Sequence, residues 1–322
     1  MTSQEYIQNK LATLKDPIKL EAIEPDKLEK NILSKVLSKK FRKYAADEAA
    51  IDASKCAIHL AVSQKRPVKL GLLFGGNKIW RLDEAPEVDW AELFSLMYYT
   101  QWMKSIACVY KYGVEFSIYS QDVSIQRLNN IPRSETDNYS KTFRELLIWL
   151  KQYLPKEVSF TYGRHAEEYS DLSRYDDDIN EAKKVLFKEL NNKYPVMSDE
   201  EKRRTEFNVR LKPGQADDPL WREKVELEHK AIFRVKSLLP YLNDNSMIHL
   251  SAMPFSGYIA VGSTKHSVAK FWASVGVLQQ QGNSYIERDI TPKQLDVATY
   301  RWEEMNFDIK GKNFSKIRVL TG

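Results

Sequence analysis

Apolar residues recur at mostly helical spacing from Lys27 to about Ser63, through Leu28, Ile32, Val36, Phe41, Ala45, Ile51, Ile58, Leu60 and Val62, with lysine-rich intervals between them. This predicts two or three amphipathic helices. After Pro67 the period changes: Val68-Lys69-Leu70-Gly71-Leu72-Leu73-Phe74 is a short apolar run closed by Gly75-Gly76-Asn77, the pattern of a buried strand entering a loop. A helix is expected from Val88 to Met103, with Asp89 capping or loading its first turn. Strands are expected at Ile106–Tyr110, Val114–Ser120 and Val158–Tyr162, and a helix from Ser134 to Tyr153.

Strands alternating with helices at these intervals predict an α/β fold with a Rossmann-like, mostly parallel sheet, because parallel neighbours need crossover connections. Four segments follow from the pattern: N-terminal helices over 1–66, the α/β core over 67–170, a helical insertion or cover over 171–240, and a strand-rich C-terminal part over 241–322 that completes the core. The insertion reads as folded, since Leu186, Leu190, Trp221, Leu227 and Ile232 give it a face to bury. C-terminal strands are expected at 247–252, 258–261, 271–278 and 284–286.

Composition narrows the class of protein. The chain has 322 residues, enough for about two domains. Its 29% charged, 43% hydrophobic and 11% aromatic residues describe a folded globular chain. The formal charge of +5 comes from 49 basic and 44 acidic residues, a weak footprint for nucleic acid that suits a small anionic substrate equally well. Two isolated cysteines in apolar settings, Cys56 and Cys108, point to buried thiols in a reducing compartment. No leader or membrane-spanning pattern is legible, so the expected location is the cytoplasm.

Strong local signatures are absent. The Gly71–Lys78 stretch fails the phosphate-loop spacing, no GxGxxG opens a helix, and the five histidines never pair at metal-ligand spacing, so no metal site is expected. Polar residues at the ends of the apolar runs remain, which is where an open α/β sheet builds its ligand crevice. Gly75-Gly76-Asn77-Lys78, with Arg81 beyond, suits an anion or is a plain turn with solvated cations. Asp122 after the Phe116 strand is a candidate base or a turn-forming Asx. Arg164 and His165 follow the Val158 strand, with His165 functional or structural. His249 and Ser251 share one face of an alternating strand that lines a site or meets solvent.

From about Val68 to Ile286 the chain resembles the isocyanide (isonitrile) synthase family, also called the pyoverdine/dityrosine biosynthesis family. The likeness lies in the strand ending at Phe74 with Lys78 in its loop, in Pro86-Glu87-Val88-Asp89-Trp90-Ala91-Glu92, in Tyr112-Gly113-Val114 leading to Ser120-Gln121-Asp122, in Asp137-Asn138-Tyr139, and in Ile248-His249-Leu250-Ser251-Ala252-Met253-Pro254. The chain departs from the family at His249 and Met253, where the family tends to have Arg and His, and at Ser120-Gln121-Asp122, where it has Ser-Asp-Gly.

The resemblance implies condensation of an amino acid's α-amine with the C2 ketone of ribulose 5-phosphate, followed by fragmentation that leaves one carbon on nitrogen. It implies Lys78, Arg81 and Arg164 as phosphate or carboxylate contacts, Asp122 and His249 as acid/base groups, and Ser120, Tyr139 and Ser251 as hydrogen-bonding support. Neither an organic cofactor nor a metal is called for; the phosphosugar is a co-substrate. Two alternatives stay open: a non-catalytic or nucleic-acid-associated module using the basic helices around Lys35 to Lys43, and a phosphosugar-binding transferase of other chemistry.

Overall fold

The computed structural model describes residues 1–76, 78, 87–168, 171–236, 240–267 and 270–321. Two compact units are formed, one by Met1–Tyr119, Asn138–Gly163 and Asn245–Gly322, the other by Ser120–Asp137 and Arg164–Asp244.

The N-terminal stretch gives α1 (Ser3–Leu14), α2 (Leu28–Val36) and α3 (Glu48–Ser63). Helix α1 begins at a capping box, Thr2 accepting from the Glu5 amide and Glu5 accepting from Thr2, and α3 at Asp47, which accepts from the Ala50 amide. Then come β1 (Val68–Phe74), α4 (Trp90–Ala107), β2 (Val114–Ser120), α5 (Asp122–Asn129), α6 (Arg133–Leu150) and β3 (Val158–Arg164). Of the apolar run at Ile106–Tyr110, expected as a strand, Ile106 and Ala107 instead finish α4, and Cys108 and Val109 form the turn after it. Trp102, Met103, Ile106 and Ala107 are all buried, and a helix carries that set at its own spacing.

Helices α7 (His165–Glu168), α8 (Leu172–Glu189), α9 (Asp199–Asn208) and α10 (Trp221–Lys236) follow. They belong to the second unit, whose small core gathers Val123, Tyr175, Ile179, Ala231 and Ile232. The Arg127 fork ties α5 to α8 and α10 there, donating to Asp176 Oδ1 at 2.5 Å, to Asn180 Oδ1 at 2.7 Å and to Glu228.

The chain ends with β4 (Met247–Ser251), β5 (Ile259–Ala260), β6 (Val275–Gln281), β7 (Ser284–Ile290), α11 (Pro292–Asp296), β8 (Tyr300–Glu304) and β9 (Lys316–Leu320). The expected strand at 271–278 begins as a 3-10 turn over Phe271–Ala273 and enters the sheet only at Val275.

The fold is α/β, with a five-stranded parallel sheet in the order β3-β2-β1-β4-β5 and a strand-rich C-terminal region. A second sheet has the order β7-β6-β9-β8. In the first sheet Leu70 faces Ile248 and Leu72 faces Leu250 across the β1–β4 pair. The strand order reverses between β1 and β4, which puts the topological switch point at the carboxyl ends of these two strands, by Gly75–Gly76 and by Ser251. Among the described residues, no helix is long and apolar enough to cross a membrane. Cys56 and Cys108 are free thiols, and neither is buried as expected: Cys56 is exposed and Cys108 half-buried.

Candidate active site

Within the first unit, the polar residues nearest the end of β1 are organised by the start of α4. Asp89-Trp90-Ala91-Glu92 forms a capping box: the Ala91 amide donates to Asp89 Oδ1 at 2.6 Å and the Asp89 amide to Glu92 Oε2 at 2.8 Å. Apolar neighbours Val88, Trp90, Ala91 and Leu93 are all buried, so both carboxyl groups are carried out of water with them. Lys78 meets them there. Its ammonium donates to Asp89 Oδ1 at 3.1 Å and to the carbonyl oxygens of Phe271 and Ser274 at 2.9 Å each, and stands 2.8 Å from Glu92 Oε2. Tyr139 on α6, itself fully buried, donates its hydroxyl to Glu92 Oε1 at 2.9 Å. Gly276 on β6 packs against this first turn, and a Cβ there would lie 2.1 Å from the Ala91 nitrogen.

A third buried carboxyl, Asp289 on β7, receives a 3.5 Å hydrogen bond from Ser95 Oγ, and its own amide donates to Ser267 Oγ at 2.6 Å. Three carboxyl groups and one ammonium thus share a dry region, and they cannot all be ionised. Burial pushes Glu92 up to about 8, although the Lys78 charge pulls the other way. Burial likewise holds Asp289 well above the usual carboxylate range, against a hydrogen bond from Ser263 and the pull of Lys78. Lys78 loses proton affinity to burial but regains more from Asp89 and Glu92, so it stays charged. The outcome is a lysine–aspartate ion pair beside a glutamic acid that exchanges its proton around neutral pH, a property suited to acid/base work.

Lys78 and Tyr139 are therefore brought together, both on Glu92. The anion-binding expectation for Lys78 meets a different arrangement: its three protons already face two carboxylates and two carbonyl oxygens. Arg81 and Asn77 lie outside the described residues. His249 lies on the face of β4 that also carries Met247 and Ser251, and there lines a cavity of about 550 Å³ with Cys56, His59 and Leu60 of α3. That cavity and the Lys78 cluster are built from different elements. The Ser251 hydroxyl is turned to the carbonyl oxygen of Met253.

In the second unit Asp122 and Arg164 are brought together. Arg164 Nε donates to Asp122 Oδ2 at 2.9 Å, and its Nη2 stands 2.6 Å from that oxygen and 2.5 Å from Asp137 Oδ1. Asp122 Oδ1 also accepts from the Ala166 amide at 3.2 Å. Burial raises the Asp122 carboxyl, with Arg164 opposing. Ser120 Oγ is buried with no hydrogen-bond partner among the described residues. No group of three or more His, Cys, Asp or Glu side chains able to hold a metal occurs among the described residues.

Sequence reading passed over Glu92 and Asp289. For Glu92 a signal exists: an Asp-x-x-Glu box inside an uninterrupted apolar run cannot present both acids to water. Asp289 gives none, because Glu287-Arg288-Asp289 reads as a solvated strand. Lys43, grouped in the sequence with a basic helix face, lies instead beside β5. Its amide donates to the Ala260 carbonyl at 2.8 Å and its ammonium to the Thr264 carbonyl at 3.3 Å.

No protein-family profile matches the chain, and no curated protein matches its sequence significantly. Among solved structures the chain is similar in fold to the PvcA protein from Pseudomonas aeruginosa, with a TM-score of 0.62 over 91% of this chain and 100% of that one, at 13% sequence identity. The likeness is one of fold.

Proposed function

We propose that this protein is an isonitrile synthase-like enzyme that condenses the α-amine of an amino acid with the ketone of a phosphosugar, ribulose 5-phosphate, in natural-product biosynthesis. Two observations support the class: the motif resemblance along Val68–Ile286, and a fold shared with PvcA over nearly the whole chain. The observation that carries the chemistry is the buried Lys78–Glu92–Tyr139 group. Attack on a ketone needs the substrate ammonium to lose a proton at neutral pH, and fragmentation needs departing oxygens to gain one. Glu92, pushed up to about 8, has the proton affinity for such exchange, and the hydroxyl that Tyr139 donates to its Oε1 fixes the carboxyl in place.

His249 lines the cavity beside α3 rather than this group, the Ser251 hydroxyl is turned to Met253, and Asp122 and Ser120 belong to the second unit, so the acid/base role in this reading rests on Glu92. Lys78 and Arg164 hold two carboxylates each, so phosphate contact falls to Arg81 and to backbone N–H groups of Gly75–Gly76 at the switch point. The scheme uses no organic cofactor and no metal, and a cytoplasmic setting suits it. The test is incubation of the purified protein with tyrosine or tryptophan and ribulose 5-phosphate: both should be consumed together. Consumption with no proteinogenic amino acid contradicts the reading.

A further inference from the structure

A separate cavity of about 480 Å³ opens in the first unit between α1, α4, β7 and the loop that follows β5. Its volume is that of a small-molecule site. The floor and walls are apolar and aromatic: Tyr6, Phe94, Met97 and Tyr285 are buried there, and Tyr6 and Tyr285 meet at 5.7 Å between ring centroids. Charge at the rim is unbalanced. Lys10, Lys40 and Lys265 line the cavity against one acid, Glu287, which is already paired with Lys10 at 3.2 Å. No carboxylate pairs with Lys40, Lys265 or His266 among the described residues.

His266 reports the resulting field. Burial first, and then Lys265, Arg288 and Lys43, hold its imidazole below the ordinary histidine range, with Glu287 alone opposing. The loop is fixed from behind. Gly262 lies under the Lys43 side chain, so that a Cβ would sit 2.0 Å from Lys43 Cε, and Thr264 is buried and accepts the His266 amide on its Oγ1 at 3.3 Å. The loop thus presents Lys265 and His266 beside an aromatic floor.

We propose that this cavity is a binding site for a small aromatic anion, whose ring lies against the tyrosines and whose carboxylate or phosphate is met by Lys40, Lys265 and His266. Unpaired cations above an aromatic pocket recognise that combination and reject both a neutral ring and a bare inorganic ion, each of which satisfies one half of the site. The site shares no lining residue with the Lys78 cluster, so the proposal stands independently of the reaction assigned above.

The test is calorimetric titration of the full-length protein with 3-(4-hydroxyphenyl)propionate, phenyl phosphate, p-cresol and inorganic phosphate, in parallel on the wild type and on the Lys40→Glu/Lys265→Glu double variant. Both substituted residues are exposed, so the fold should persist, and circular dichroism verifies it. At least one aromatic anion should bind more tightly than p-cresol and inorganic phosphate, and the double variant should weaken it by about tenfold or more. Which anion binds identifies the head group. Binding should also tighten as His266 gains its proton and weaken with salt. Failure of both aromatic anions to bind, or binding that is indifferent to the charge reversal, overturns the proposal.

Discussion

Lys78 Nζ stands 2.8 Å from Glu92 Oε2 with both side chains buried, and the glutamate owes its position to a helix-capping box rather than to the lysine. One local rule, Asp-x-x-Glu at a helix start, thereby delivers two carboxyl groups to a single ammonium in a dry region. The stability and the proton chemistry of the first unit both depend on that coincidence.

Removing the cation tests the first part. Lys78→Met leaves the Asp89 carboxylate buried without its counter-charge and should cost about 3–5 kcal/mol. Glu92→Gln retains an acceptor for the Asp89 amide and should cost clearly less. Urea unfolding of the two variants compares them.

The pH dependence follows from the raised carboxyl. Folded Glu92 titrates at about 8 and its ordinary value is 4.5, so between these values the native state holds a proton that the unfolded chain has released. Glu92 therefore favours folding most below about pH 4.5, and that contribution is lost as pH rises through 8. Wild-type protein should lose stability relative to Glu92→Gln between pH 5 and pH 8. A difference that stays constant across this range contradicts the assignment.

Two glycines should respond unequally to alanine. At Gly276 the new methyl meets backbone, 2.1 Å from the Ala91 nitrogen and 2.3 Å from the Trp90 carbonyl carbon, and neither can yield without moving α4 away from β6. At Gly262 it meets chiefly the flexible end of Lys43, with the Ser267 carbonyl oxygen at 3.1 Å. Gly276→Ala should cost about 3 kcal/mol or more, while Gly262→Ala should cost less and be relieved by adding Lys43→Ala. Thermal melts of the three variants check the order.

In the second unit, Arg164→Met strands Asp122 in the interior without its guanidinium. The loss should be several kcal/mol at pH 7 and should shrink as pH falls, because the burial that already raises Asp122 will then keep it protonated and neutral. A pH-independent loss, followed by chemical denaturation, rules out ionic pairing as the cause.

Legibility in the sequence tracked burial geometry. β1 and the sheet class followed from a strongly apolar run and from crossover spacing, and the shared face of His249 and Ser251 from the two-residue period of a strand. Strand β8 went unread because its alternation is limited to Tyr300 and Trp302 and the segment is largely exposed, its place being set by pairing with β9. The end of α4 was misread because a short apolar run does not by itself separate strand from helix. For the candidate site, sequence position identified Lys78, Tyr139, Asp122 and Arg164 without their partners. Whether a lysine holds a ligand or a buried carboxylate depends on contacts such as Lys78 with Glu92, and Asp122 with Arg164 across 42 positions of chain, which only the fold supplies.

Ribulose 5-phosphate carrying a heavy-carbon label at C2, incubated with the purified protein and tyrosine or tryptophan and followed by mass spectrometry, reports directly on the proposed condensation. The label should move onto the amino acid nitrogen as the isonitrile carbon, and Glu92→Gln should slow this transfer. Unchanged amino acid and unchanged sugar, with wild-type protein shown to be folded and with every proteinogenic amino acid tried, would contradict it.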